Sequence, residues 1–138
     1  MRDIMDLIGR IFLSAIFIFE ACDSIWYFEK TQSTMTQYGF SSNQDTLLYG
    51  AIVLLVLGGL MVLFGYRSTL GCALLLCYWI PVTFVVHDFW NVPKDQLRIQ
   101  SILFMKDVAI IGGLLMLMGK GSGRYSIKKL LATTRVRY

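Results

Sequence analysis

Apolar residues in this chain come in long blocks separated by short polar stretches. Residues 46–66, TLLYGAIVLLVLGGLMVLFGY, carry no charged side chain, and neither do residues 68–86, STLGCALLLCYWIPVTFVV. A bilayer core needs about 20 apolar residues in a helix, so each block predicts a membrane span, the two joined by a tight turn at Arg67. Two other segments are long and otherwise apolar but contain charges. Residues 7–28 hold Arg10, Glu20 and Asp23, and residues from about 99 to 119 hold Lys106 and Asp107. Backbone polar groups in lipid must be satisfied within their own segment, so all four are read as helices.

The predicted fold is an all-α membrane protein, an antiparallel bundle of four transmembrane helices. The helices are expected at about 7–28, 46–66, 68–88 and 99–119, in one integral-membrane domain spanning 1–138, with a basic cytoplasmic tail over 120–138. The FEAC stretch faintly resembles a lipoprotein cleavage site, but Glu20 sits where such sites need a small or apolar residue. The first span is therefore expected to be retained.

Composition supports this reading. The 138 residues are 56% hydrophobic and 16% charged, with mean hydropathy +0.60, more apolar and less charged than a soluble domain. The net charge of +4 is modest and unevenly placed, which argues for topology rather than nucleic-acid binding. Cys22, Cys72 and Cys77 lie in apolar runs without zinc or redox spacing, so no metal site is expected. With four spans, nine lysines and arginines fall on the side of the termini and Arg67. The other side holds four: Lys30, Lys94, Arg98 and Lys106. Positive charge stays inside, so both termini are expected in the cytoplasm.

The outer loops differ. Residues 29–45 are polar with Met35, Tyr38 and Phe40 interspersed, and a short interfacial helix is expected there. Trp26, Tyr27, Tyr49 and Trp90 are placed for an aromatic belt at the outer boundary. Pro81 removes a backbone hydrogen bond inside the third span and should kink it. LGGL (57–60) and IIGGLL (110–115) offer small surfaces for close helix contact.

The ionisable residues sort by depth. Glu20 and Asp23 lie in the outer half of the first span, His87 and Asp88 end the third, and Lys106 and Asp107 lie roughly 10 Å into the fourth. Charged groups inside a span are costly and usually face the bundle or a wet cavity. The expectation is a polar pocket opening outward, lined by Glu20, Asp23, His87, Asp88, Trp90, Lys106 and Asp107. Four carboxylates beside one lysine cannot all stay ionised cheaply, so a proton must be shared or a cation must enter. Glu20 and Asp23, three apart, are the best placed to share one. The same residues also read as an interhelical lock, with Lys106 paired to a carboxylate and His87 as an end cap.

The ordered set IGRIFLSAIFIF, QYGF, LLYGAIVLLVLGGLMVLFGYRS, IPVTFVVHDFW and FMKDVAIIGGLLML resembles the DoxX family of small bacterial membrane proteins, over roughly residues 7–119. HDFW and FMKDVAIIGG are most similar to divergent Bacteroidetes-type members. The resemblance implies a four-helix inner-membrane bundle and little chemistry. The family is named for a subunit of a thiosulfate:quinone oxidoreductase, and other members are linked to membrane redox and oxidative-stress complexes. Positions matching its pattern are Arg10, Gly58, Gly59, His87, Phe89, Trp90, Lys106, Gly112 and Gly113. Two departures stand out. Members usually carry a glycine and then a lysine where Ala21 and Ser24 stand, and often a glutamate where Leu55 stands. Glu20 and Asp23 are added instead.

The expected function is a non-catalytic accessory or scaffold subunit of a membrane complex, or a homo-oligomer, in contact with membrane lipids and not with nucleic acid. No catalytic residues are assigned and no resident cofactor is expected, with quinone or lipid as candidate occupants of the pocket. The alternative is a redox component that interacts with quinone between His87, Trp90 and Lys106. A proton pathway is disfavoured because the polar residues do not continue through the inner half of the later spans.

Overall fold

The computed structural model describes residues 2–40, 42–87, 90–121 and 126. It contains five helices: α1 (Arg2–Trp26), α2 (Phe28–Gln37), α3 (Gln44–Phe64), α4 (Ser68–Val86) and α5 (Lys94–Lys120). No strand occurs among the described residues. The predicted Asp88 and most of the tail after Gly121 lie outside the described residues.

Three helices, α3, α4 and α5, are long and apolar enough to cross a membrane. The first is long enough at 25 residues, about 37 Å, but is not among them. Arg2, Asp3, Asp6, Arg10, Glu20 and Asp23 are spread along it and dilute its apolar character. The chain is thus an all-α protein with three spans established by length and composition, one fewer than the sequence pattern suggests. Both outer helices also begin about five residues before their apolar runs. Asp3 and Asp95 stand in the first turns of these helices, where acidic side chains are favourable, and Pro93 precedes the first turn of α5 in an extended conformation, at φ −58°, ψ 153°.

Packing follows the chain. The α1–α3, α3–α4 and α4–α5 contacts are extensive, whereas α1 and α5 touch only sparsely. Glycines bring the first pairs close. A Cβ at Gly58 would lie 2.7 Å from Leu75 Cγ, one at Gly71 would lie 3.1 Å from the Gly58 carbonyl, and one at Gly59 would lie 3.1 Å from Ile18. Side chains of Phe17, Ala21, Leu55, Val62, Cys72, Leu75, Leu76, Trp79, Leu114 and Leu117 fill the centre. Phe17 meets Trp79 edge to face at 5.0 Å across the bundle, a favoured aromatic geometry.

The turn between α3 and α4 needs two left-handed residues, Gly65 at φ 66° and Arg67 at φ 47°. At the opposite end of the bundle, α2 is the helix within the polar loop. Its last residues are tied to the neighbours. Tyr38 donates its phenolic hydrogen to the Val86 carbonyl at 3.1 Å, Gln44 bonds Thr36 at 2.7 Å, and Gln32 bonds Asp45. The Phe28 and Tyr49 rings pack 5.1 Å apart. The same end carries Trp26, Tyr27, Tyr49 and Trp90, all exposed.

Candidate functional site

Thr83 and His87 share one face of α4, a turn apart, and meet α5 at Asp107. Thr83 is fully buried. Its hydroxyl donates to the Trp79 carbonyl at 2.8 Å and stands 3.3 Å from Asp107 Oδ2. The same oxygen lies 3.6 Å from His87 Nε2. On its other side, His87 Nδ1 is 2.9 Å from Gln100 Oε1. Nδ1 faces the Gln100 amide and Nε2 faces the carboxylate. The imidazole thus ties the end of α4 to two turns of α5.

Glu20 on α1 is half-buried and close enough to this pair to feel the charges of Asp23, Asp107 and His87. Tyr78 also lies near Glu20. The indole N–H of Trp79 is buried with no hydrogen-bond partner, an unusual state for a buried donor. The arrangement can hold and pass one proton, and it can present donors to a carbonyl-bearing molecule. Among the described residues, no three His, Cys, Asp or Glu side chains are grouped to hold a metal ion.

The sequence-based set is therefore divided. His87 and Asp107 come together, with Glu20 beside them. Asp23 is exposed, so it does not share a buried site with Glu20. Trp90 is exposed at the rim, its ring 6.0 Å from Phe104, which in turn packs on Phe84 at 5.4 Å. Lys106 is exposed, and no ion pair joins it to Glu20, Asp23 or Asp107. The lock expected between Lys106 and a carboxylate is made instead by His87. Adjacent helix positions differ by about 100° in direction, so Asp107 facing α4 turns Lys106 away from it.

A second charged group lies at the opposite end of the bundle, and the sequence reading missed it. Arg10 is fully buried. Its Nε lies 3.4 Å from Asp6 Oδ2, and the other Asp6 oxygen lies 3.0 Å from Lys120 Nζ on α5. The guanidinium rests against Gly65 at the carboxyl end of α3, with Ser126 alongside. Helix carboxyl ends attract cations, so α3 itself stabilises Arg10. The available signal was the DLIGR spacing: an acidic residue four before an arginine is the favourable order for a helical pair. Arg10 reads from sequence as an orientation signal, which hides its structural use.

Comparison with known proteins agrees with this architecture. The family model described as DoxX matches residues 5–88. Inner membrane protein YqjF of Escherichia coli is 30% identical over 131 residues, covering 95% of this chain and 95% of its own. Inner membrane protein YphA of the same organism is 25% identical over 128 residues, covering 93% and 91%. A Surfeit locus protein 4 homolog of Schizosaccharomyces pombe is 29% identical over 69 residues, 49% of this chain and 23% of its own. No solved structure is similar to the chain at a significant level.

Proposed function

The chain belongs to the DoxX family, and from that premise we propose that it is a non-catalytic accessory subunit of a bacterial inner-membrane protein complex. In this reading α1 is a fourth span, both termini face the cytoplasm, and the His87–Asp107 end faces outward. The names of the Escherichia coli relatives support the compartment. The excess of lysine and arginine on the side of the termini supports the orientation.

The observation that carries the proposal is where the ionisable groups go. Asp6 pairs with Arg10 on its own helix and with Lys120 on α5, and His87 stands 3.6 Å from Asp107 across α4 and α5. Ionisable groups spent on holding helices in place favour a scaffold over a reaction centre. The outward surface of α5 is broad and apolar, with Ile102, Met105, Val108, Leu115 and Met116 exposed. Extraction of the membrane into native lipid discs, followed by mass measurement, tests the reading. A second polypeptide at fixed stoichiometry is expected, and a solitary chain overturns it.

A second reading has one observation in its favour. The Trp79 indole N–H is buried without a hydrogen-bond partner, a donor that suits a ligand carbonyl. A quinone held near His87, Trp90 and Lys106 would make the chain a membrane redox component. Binding of a quinone analogue to wild type and to His87→Ala separates the two. Equal affinity removes the quinone reading.

A further inference from the structure

Asp6, Leu13 and Glu20 are seven residues apart on α1, and Lys106, Gly113 and Lys120 are seven apart on α5. Residues seven apart lie on almost the same face of a helix, with a drift of about 20°. The two stripes run antiparallel toward each other. At the inner rung, Lys120 pairs with Asp6 at 3.0 Å. At the middle rung, a Cβ on Gly113 would sit 3.3 Å from Leu13 Cδ2. Extending that register by one heptad assigns Glu20 and Lys106 to the outer rung, where Glu20 also feels the charges of Asp23, Asp107 and His87. That rung is open: Lys106 is exposed, Glu20 is half-buried, and no ion pair joins them. Sparse contact between α1 and α5 is the same fact seen along the whole seam. Ile16 on α1 and Ala109 on α5, each about one turn deeper than Glu20 and Lys106, are exposed.

An ammonium and a carboxylate held apart in the apolar half of a bilayer are both costly. A molecule with opposite charges in the matching order neutralises both at once. We propose that the open outer end of the α1–α5 seam binds a zwitterionic phospholipid headgroup, its phosphate on Lys106 and its primary ammonium on Glu20. The phosphate accepts from the Lys106 ammonium, and the headgroup ammonium donates to the Glu20 carboxylate. Both are charge-assisted hydrogen bonds, stronger than neutral ones. The acyl chains run inward from there, past Ile16 and Ala109. A simple anion satisfies only Lys106, and a trimethylated headgroup has no N–H to give Glu20. The chemistry therefore selects phosphatidylethanolamine over phosphatidylglycerol and phosphatidylcholine. This inference uses α1 as a span beside α5 but needs neither a partner subunit nor quinone.

The test is native mass spectrometry of the full chain released from vesicles holding equal amounts of the three lipids. Wild type is expected to keep one phosphatidylethanolamine through detergent washing. Glu20→Gln and Lys106→Gln should each lower that retention about tenfold, the loss of one charge-assisted bond. Lys94→Gln, at the start of α5, should leave it unchanged. Equal retention of phosphatidylcholine, or retention indifferent to both substitutions, overturns the site. Retention of phosphatidylglycerol that depends on Lys106 alone overturns the zwitterion assignment. A disulfide between Leu13→Cys and Gly113→Cys, formed in membranes, verifies that α1 lies beside α5. Its failure to form overturns the seam and the fourth span together, while leaving the accessory role to its own experiment.

Discussion

The Arg10 guanidinium occupies the space that a side chain on Gly65 would need. Gly65 ends α3 with a left-handed backbone, φ 66°, and its missing Cβ lets a fully buried cation rest on the end of that helix. Gly65→Ala meets two penalties at once. The left-handed conformation alone costs roughly 1–2 kcal/mol for a residue with a Cβ, and displacing Arg10 adds to it. Gly39 is also left-handed, at φ 86°, with open space around it, so Gly39→Ala should show only the first penalty. Thermal unfolding in mild detergent should give Gly65→Ala clearly the lower melting temperature of the two.

Asp6 and Lys120 are partners of very unequal burial, with side chains 6% and 54% exposed. Asp6→Ala takes a carboxylate from beside the buried Arg10 and should cost about 1–3 kcal/mol. Lys120→Ala removes a solvent-facing partner and should cost less than about 1 kcal/mol. Denaturation of the two variants in the same detergent checks the order. Similar losses would mean that Asp6 is not what holds Arg10.

His87→Ala should destabilise the bundle more than Lys106→Ala. His87 links Gln100 to Asp107, whereas Lys106 is exposed and no ion pair joins it among the described residues. Removing the imidazole leaves part-buried acceptors unpaired, roughly 1–3 kcal/mol. Lys106→Ala should stay within about 0.5 kcal/mol, the usual scale for an exposed substitution. Melting curves of both variants decide the order.

The glycine pairs make opposite predictions. Gly71→Ala would place a Cβ 2.8 Å from Met61 Cβ and 3.1 Å from the Gly58 carbonyl. Such overpacking between backbones should cost about 1–3 kcal/mol. Nothing lies within 4 Å of a Cβ at Gly112, so Gly112→Ala should be neutral or gain about 0.5–1 kcal/mol from reduced chain entropy. Unfolding midpoints of the two variants should move in opposite directions or differ widely.

By itself the sequence made three apolar spans and the polar loop helix legible, and it also suggested a fourth span that is not apolar enough by length and composition. Those follow from where charge is absent over about 20 residues and from local helix propensity. It also placed His87 and Asp107 at one level, because depth along a helix is a linear count of residues. The structure alone decided which of those residues meet. Asp107 faces α4 while Lys106 faces outward along the α1 side, a difference of one residue that depth cannot distinguish but helix rotation does. Burial of Arg10 was likewise hidden, since it depends on Gly65, 55 positions away in the chain. The absence of an ion pair between Glu20 and Lys106 could also be read only from the packing, in which α1 and α5 touch sparsely.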